Sequence, residues 1–406
     1  LQPSRYSHIE LLSSLARKTE SKILLVVLDG VGGLPVKGRT ELESARTPNL
    51  DEAARRGSCG LTIPVLPGVT PGSGPSHLAI FGYDPLVYEI ARGALEVYGV
   101  GRTLEENQIG ARGNFCSMNS EGIVVDRRAG RLATEENARL CGVLNGETDE
   151  IDGVRFEFVP GKEHRFVLLM TGDRLSSELS DTDPHQDMEH YAECTGRSAG
   201  SERTARVVNS LMKKVHETLK SEKAATGVIL RGFSARPEIP TMSELYLLSA
   251  AAIATYPMYR GVASLLGMAV VECAGTLEAQ IEALKKVFDD CDFVYFHFKL
   301  TDMAGEDGDF ERKVHIIEEF DSQFGRISGM GHDVLAVTSD HSTPASMKKH
   351  SWHPNPFVIV SSNVRLDRAE RFTERDCLNG CLGTFEAKYA MGLLLAHAGK
   401  LDKFGA

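Results

Sequence analysis

Residues 23–33 read ILLVVLDGVGG, six apolar residues in a row, then an acid, then a glycine-rich turn. An unbroken apolar run of strand length shows no alternation of faces, so it predicts a strand covered on both sides, as in a parallel sheet between helices. In such sheets ligands collect at the carboxyl ends of the strands. Asp29 stands at that end. Downstream, TPNLDEAARRG at 47–57 has Thr as N-cap, Pro at the first helical position, acids early, arginines late and a terminating Gly. It predicts a helix.

The run, loop and helix pattern returns in the last third. DFVYFHFK at 292–299 predicts a buried strand, followed by the acidic loop TDMAGEDGD and the helix FERKVHIIEEFDSQFGRI. DVLAVT at 333–338 leads into Ser339, Asp340 and His341, and PFVIVSS at 356–362 predicts a third strand. Alternating units of this kind give an α/β fold with a doubly wound, mostly parallel sheet. The middle differs, with the short strands GIVVD, VRFEFV and HRFVLLM, the polar loop SSELSDTDPHQDMEH and the helix ERTARVVNSLMKKVHETL. It reads as a smaller inserted α/β domain over 106–225, the core being 1–105 with 226–406.

With 406 residues the chain is long enough for two domains. A formal charge of −11 argues against a nucleic-acid surface, which needs clustered Lys and Arg. Its 8 cysteines form no CxxC pair and read as reduced thiols of a cytoplasmic protein. LQPSRYSHIELLSSLARKTE has no apolar core of a signal peptide, and no run reaches the ~20 apolar residues of a membrane span.

The chemistry sits at the predicted strand ends: Asp29, Asp302, Glu306, Asp340, His341, and His350 or His353. Oxygen and imidazole ligands without thiolates suit Mn²⁺, Mg²⁺ or Zn²⁺, and two such ions can clamp the attacking and leaving oxygens of a phosphoryl transfer. TPGSGPSH at 70–77 offers two serines. Ser73, between two glycines at an expected helix start, has the open backbone and free N–H groups that an anion needs. Ser76, after Pro75, falls inside the first turn.

Taken together, these stretches resemble the archaeal type of cofactor-independent phosphoglycerate mutases, members of the alkaline phosphatase superfamily. The resemblance is carried by VVLDGVGG (26–33), TPNLDEAARRG (47–57), GVTPGSGPSHLAIFGYDP (68–85), ARGNF (111–115) and IVVDRRAGR (123–131). It continues through EHRFVLLMTG (163–172), SDTDPH (180–185), LRGFSARP (230–237), YPMYRGVASLLGM (256–268), TDMAGEDGDFERKVHIIEEFD (301–321), TSDHSTP (338–344) and HSWHPNPF (350–357). It implies an alkaline-phosphatase-like core and interconversion of 3- and 2-phosphoglycerate through phosphorylated Ser73, with two divalent ions, Mn²⁺ foremost, and no 2,3-bisphosphoglycerate. One ion would be held by Asp29, Ser73, Asp340 and His341. The other would be held by Asp302, His350 and the residue four after Asp302.

That residue is commonly His in the superfamily and here is Glu306, with Asp307 as a substitute. A carboxylate adds negative charge and favours harder cations. Lysines expected within 243–252 are absent, so Arg260 is a candidate for their contact. Arg112, Arg165, Arg231 and Arg260 would pair with the glycerate carboxylate, guanidinium forks matching carboxylates. Asp183 and His185 would exchange protons with the two hydroxyls. Free glycerate has to turn over without water, so the inserted domain is expected to act as a lid. Another phosphatase, a phosphopentomutase or a phosphodiesterase would share the metal core, and a silent metal- or metabolite-binding homologue is the reading from outside enzymology.

Overall fold

The computed structural model describes residues 7–405. Residues 1–6, the start of the segment read as lacking a signal peptide, and residue 406 lie outside the described residues. The chain divides into two compact units, residues up to 89 with 239–406, and 90–238.

The first unit is built on an eight-stranded sheet. Its order is Ala269–Val270, Ala250–Ile253, Phe293–Phe298, Ile23–Leu28, Val334–Thr338, Asn355–Ser361, Ser58–Ile63 and Gly383–Glu386. Ile23–Leu28 pairs in parallel with Phe293–Phe298 on one side and Val334–Thr338 on the other. All six of its residues are buried, as the unbroken apolar run requires. Leu24, Val26 and Leu28 share one core with Phe296, Phe298 and the helix residues Ile317, Phe320 and Phe324. The carboxyl ends of these three strands therefore lie side by side and bring Asp29, Asp302 and Asp340 to one edge.

Two expectations about this first unit need correction. Asn355–Ser361 runs antiparallel to both neighbours, so its amino end, not its carboxyl end, lies at that edge. His350 precedes the strand and reaches the edge from this side. The second correction concerns Thr47. The helix Pro48–Arg56 forms, but the Thr47 side chain does not cap it. The carboxylate of Asp321 accepts from the backbone N–H groups of Asn49 and Leu50, at 3.2 and 2.8 Å. A tertiary carboxylate thus satisfies the orphan donors that a local threonine was expected to take.

The second unit is an antiparallel sheet. Glu150–Ile151, Val154–Pro160, Arg165–Thr171, Gln108–Met118, Ile123–Asp126 and Glu189–His190 follow in order, with Gly227–Ser234 also paired to Gln108–Met118. The helices Thr134–Glu147 and Glu202–Leu219 contribute Leu140, Leu144, Val208, Leu211 and Val215 to its main core. Its boundaries fall at 90 and 238, wider than the expected 106 and 225. The cause is pairing at both ends: Gly227–Ser234 completes the sheet, and Ala94 and Val97 of the helix Arg92–Gly99 pack on Val167 and Leu169. Among the described residues no helix is long and apolar enough to cross a membrane.

Burial in this unit has a consequence in acid. His164 is 3% exposed, and burial followed by the charge of Arg165 pushes its imidazole down to about 4. The unfolded chain therefore takes up this proton before the folded one, so the contribution is intact above about 6.5 and is lost as pH falls toward 4. Urea denaturation should show stability falling between pH 7 and 5, and His164→Gln should remove on the order of 2 kcal/mol of that fall.

Candidate active site

Ser73 is the first residue of the helix Ser73–Ile80, with Gly72 as an extended N-cap that contributes no side chain. Pro75 has no N–H and that of Ser76 is bonded to the Gly72 carbonyl at 3.2 Å, so Ser73 and Gly74 carry the first-turn N–H groups suited to an anion. The Ser73 hydroxyl lies 3.2 Å from His341 Nε2. Ser76 is buried, and its hydroxyl donates back to the Gly72 carbonyl at 2.9 Å. The two serines of TPGSGPSH are thus separated by their partners.

The His341 tautomer follows from its other nitrogen. Thr343 Oγ1 donates to Asp302 Oδ1 at 2.7 Å, so it accepts from His341 Nδ1 at 3.0 Å. Nδ1 then carries the proton and Nε2 offers a lone pair. That lone pair is 3.1 Å from Asp340 Oδ2 and 3.5 Å from Asp29 Oδ1. His350 is arranged alike: Nδ1 donates to the Pro71 carbonyl at 3.0 Å, which leaves Nε2 for Asp302 Oδ1 at 3.8 Å. The ligand-type atoms fall into two groups, Asp29 with Asp340 and His341, and Asp302 with His341 and His350.

These groups fit divalent cations. Asp29 Oδ1 and Asp340 Oδ2 are buried without a hydrogen-bond partner. A buried carboxylate oxygen without a donor is costly unless a cation meets it. The two carboxylates also titrate in opposite directions. Burial opposes ionisation of Asp29, but the Lys299 charge and the His297 hydrogen bond hold it well below the usual carboxylate range. Burial and the neighbouring Asp29 charge push Asp340 well above it.

Several neighbours escaped the sequence reading. Lys299 Nζ lies 2.5 Å from Asp302 Oδ2, 3.1 Å from Asp29 Oδ2 and 2.9 Å from the Tyr259 hydroxyl. His297 Nε2 is 2.9 Å from Asp29 Oδ2, and His77 donates from Nδ1 to the Ser73 carbonyl at 2.8 Å. Burial lowers His77 to about 3, so it stays neutral. The available signal was a His and a Lys inside the apolar run FVYFHFK.

The remaining first-unit candidates spread out. Glu306 is half-exposed, with Oε1 3.9 Å from His350 Nε2. Burial and Asp302 push its carboxyl up. It borders the second ligand group without joining it. Asp307 is turned to Arg312 at 2.7 Å, and His353 lies 3.2 Å from Ser351 Oγ and stacks on Trp352. Arg260 is taken up by a two-pronged ion pair with Glu272.

In the second unit, adjacent strands set Arg112 opposite Arg231 and Asn114 opposite Arg165. Arg112 is buried, paired to Glu96 at 3.1 Å, and lowered to about 9 by burial against the neighbouring arginines. The Nε groups of Arg165 and Arg231 are buried without a partner. Like charges held this close, with donors unspent, suit an anionic partner. Asp183 accepts both prongs of Arg127, at 2.8 and 2.7 Å, and lies 3.4 Å from Arg231. His185 is exposed, adopts φ +67°, and donates its backbone N–H to Asp183 at 2.9 Å. Arg127, within the RRAGR stretch, was not singled out from sequence.

A family model described as 2,3-bisphosphoglycerate-independent phosphoglycerate mutase matches residues 54–225. A probable 2,3-bisphosphoglycerate-independent phosphoglycerate mutase of Thermotoga sp. (strain RQ2) is 47% identical over 98% of this chain and 99% of its own length. One from Thermus thermophilus is 49% identical over 97% and 98%. Among solved structures, the cofactor-independent phosphoglycerate mutase of Thermoplasma acidophilum superposes with a TM-score of 0.72 at 27% identity, covering 93% of this chain and all of that one. The PH0037 protein of Pyrococcus horikoshii gives 0.81 at 29%, covering 95% and 99%. Alike in sequence to these mutases over nearly its whole length, the chain belongs to the 2,3-bisphosphoglycerate-independent phosphoglycerate mutase family.

Proposed function

We propose that this enzyme interconverts 3- and 2-phosphoglycerate by two successive displacements at phosphorus, with Ser73 as the residue that carries the phosphoryl group between them. The observation that bears most weight is the 3.2 Å approach of Ser73 Oγ to His341 Nε2, the nitrogen that also faces Asp29 and Asp340. Asp29, Asp340, His341 and Ser73 would hold one divalent ion, and Asp302, His350 and Glu306 the other, with Mn²⁺ as the native metal. Bound there, such ions lower the pKa of a coordinated hydroxyl and offset charge on phosphoryl oxygens.

The chain's own residues account for the remainder. Ser73 Oγ forms its bond to phosphorus as the bond from phosphorus to the substrate oxygen breaks, and glycerate leaves with that oxygen. The other hydroxyl of the same glycerate then attacks the phosphoserine and restores Ser73. The N–H groups of Ser73 and Gly74, at the start of the Ser73–Ile80 helix, donate to the phosphoryl oxygens. Arg112, Arg165 and Arg231 hold the glycerate carboxylate, with Arg127 alongside. Arg260, spent on Glu272, contributes less.

Each displacement leaves one hydroxyl to be protonated and one to be deprotonated. Asp183 works against its burial, but two arginines keep it ionised, so it is better suited to orient His185 than to donate a proton. His185 then exchanges the proton. The enzyme's place is the cytoplasm, on the reading of its 8 scattered cysteines as reduced thiols.

Acid quench during turnover, followed by peptide mapping, tests the proposal. The phosphate should appear on the peptide at Ser73, and a quenched enzyme without phosphoserine would reject it. Glu306→Ala should raise the Mn²⁺ concentration for half-maximal activity by about 10-fold, a ligand at the margin of its site being worth one to two decades in affinity. An unchanged Mn²⁺ dependence would remove Glu306 from the ligand set.

A further inference from the structure

Lys299 follows the strand Phe293–Phe298 directly, and its ammonium joins the two ligand groups through Asp29 of one and Asp302 of the other. Its side chain is 14% exposed and lies over the rings of Tyr256 and Tyr259 at 5.7 and 5.2 Å. It is therefore walled by aromatic faces yet open to the site. Among the described residues, every ion pair from a lysine or arginine to Asp29, Asp302, Asp340 or Glu306 comes from Lys299.

Charge counting gives this position a role. Asp29, Asp302, Asp340 and Glu306 bring four negative charges when ionised, which two divalent ions cancel. The phosphoryl group then arrives with roughly two further negative charges into a site of low dielectric. An ammonium on a four-carbon stem can move between two anionic partners a few ångströms apart.

We propose that Lys299 is the phosphoryl-binding cation of this enzyme, pairing with Asp29 and Asp302 until divalent ions take those carboxylates and then turning to the phosphoryl oxygens. This rests on the two-ion reading above. The competing role, a fixed brace that orients the carboxylates for metal, makes the opposite prediction for metal affinity.

The test uses the full-length enzyme, stripped of metal, as wild type and as Lys299→Met. Mn²⁺ binding is followed by electron paramagnetic resonance and orthophosphate binding to the Mn²⁺-loaded protein by calorimetry. The proposal expects Mn²⁺ to bind Lys299→Met as tightly as wild type or up to about 10-fold more tightly, because a competing cation is gone. It expects orthophosphate to bind about 30-fold more weakly, the loss of one charged hydrogen-bond partner, with partial recovery in Lys299→Arg. Unchanged orthophosphate affinity overturns it. A fall in Mn²⁺ affinity also overturns it, in favour of the brace.

If Lys299→Met does not fold, the same titrations on Lys299→Gln decide. A wild-type protein that takes up no Mn²⁺ fails the two-ion reading itself and the proposal with it. That outcome is visible before any variant is compared.

Discussion

Replacing Ser73 by alanine is expected to lower mutase turnover by on the order of 10⁴-fold or more while leaving the fold and the thermal transition almost unchanged. The loss is large because no other hydroxyl takes its place at the helix start. Ser76 turns its oxygen back to the Gly72 carbonyl, and Thr343 is spent between His341 and Asp302. The fold is spared because Ser73 caps nothing: the helix N-cap is Gly72, and the hydroxyl faces site groups, His341 Nε2 at 3.2 Å and the Tyr259 hydroxyl. Ser76→Ala removes a buried hydrogen bond and should cost about 1 kcal/mol of stability with less than a 10-fold effect on turnover. A coupled enolase assay with parallel circular-dichroism melts separates the two, and equal losses from both variants would contradict the assignment.

The second large effect is expected at Asp340. Asp340→Asn keeps the shape but replaces the partnerless Oδ2, 3.1 Å from His341 Nε2, by a neutral group. Turnover should fall by about 10³-fold, and calorimetric titration should show one Mn²⁺ bound per chain where the wild type binds two. Stability should move the other way. Burial and the Asp29 charge make the ionised Asp340 side chain unfavourable in the folded protein without metal, so that protein should melt higher as Asp340→Asn than as wild type. Lower stability together with unchanged Mn²⁺ stoichiometry would mean that Asp340 is an ordinary structural acid.

Much of this was legible in sequence because burial on both faces leaves an unmistakable pattern. ILLVVLD announced the central strand, and Asp29 stands at its carboxyl end as expected. Strand direction was not legible. PFVIVSS has the same composition whichever way it runs, and only its ladder to Val334–Thr338 makes it antiparallel. Long-range pairing also hid the true extent of the second unit, since Gly227–Ser234 reads as a generic buried strand until it is set beside Gln108–Met118. The Thr47 cap failed for a related reason: Asp321, more than 270 residues away, satisfies the same donors.

The site divides in the same manner. Acids and histidines stand out against apolar runs when they follow a strand, which is how Asp29, Asp302, Asp340 and His341 were found. His297 and Lys299 lie in or directly after such a run, and His77 faces inward from a helix. Their roles come from which face the backbone presents, and the composition of a short stretch does not carry that information. Arg260 illustrates the converse, a well-placed motif residue whose charge is consumed by Glu272.

The central claim is that phosphorus is displaced twice, through Ser73. Stereochemistry at phosphorus tests this most directly. A 3-phosphoglycerate whose phosphoryl group is made chiral with three oxygen isotopes is converted by the enzyme, and the configuration of the 2-phosphoglycerate is read by phosphorus NMR. Two in-line displacements, each inverting, predict overall retention. Inversion would mean a single transfer between hydroxyls with no enzyme-bound phosphoryl group, and would contradict the account.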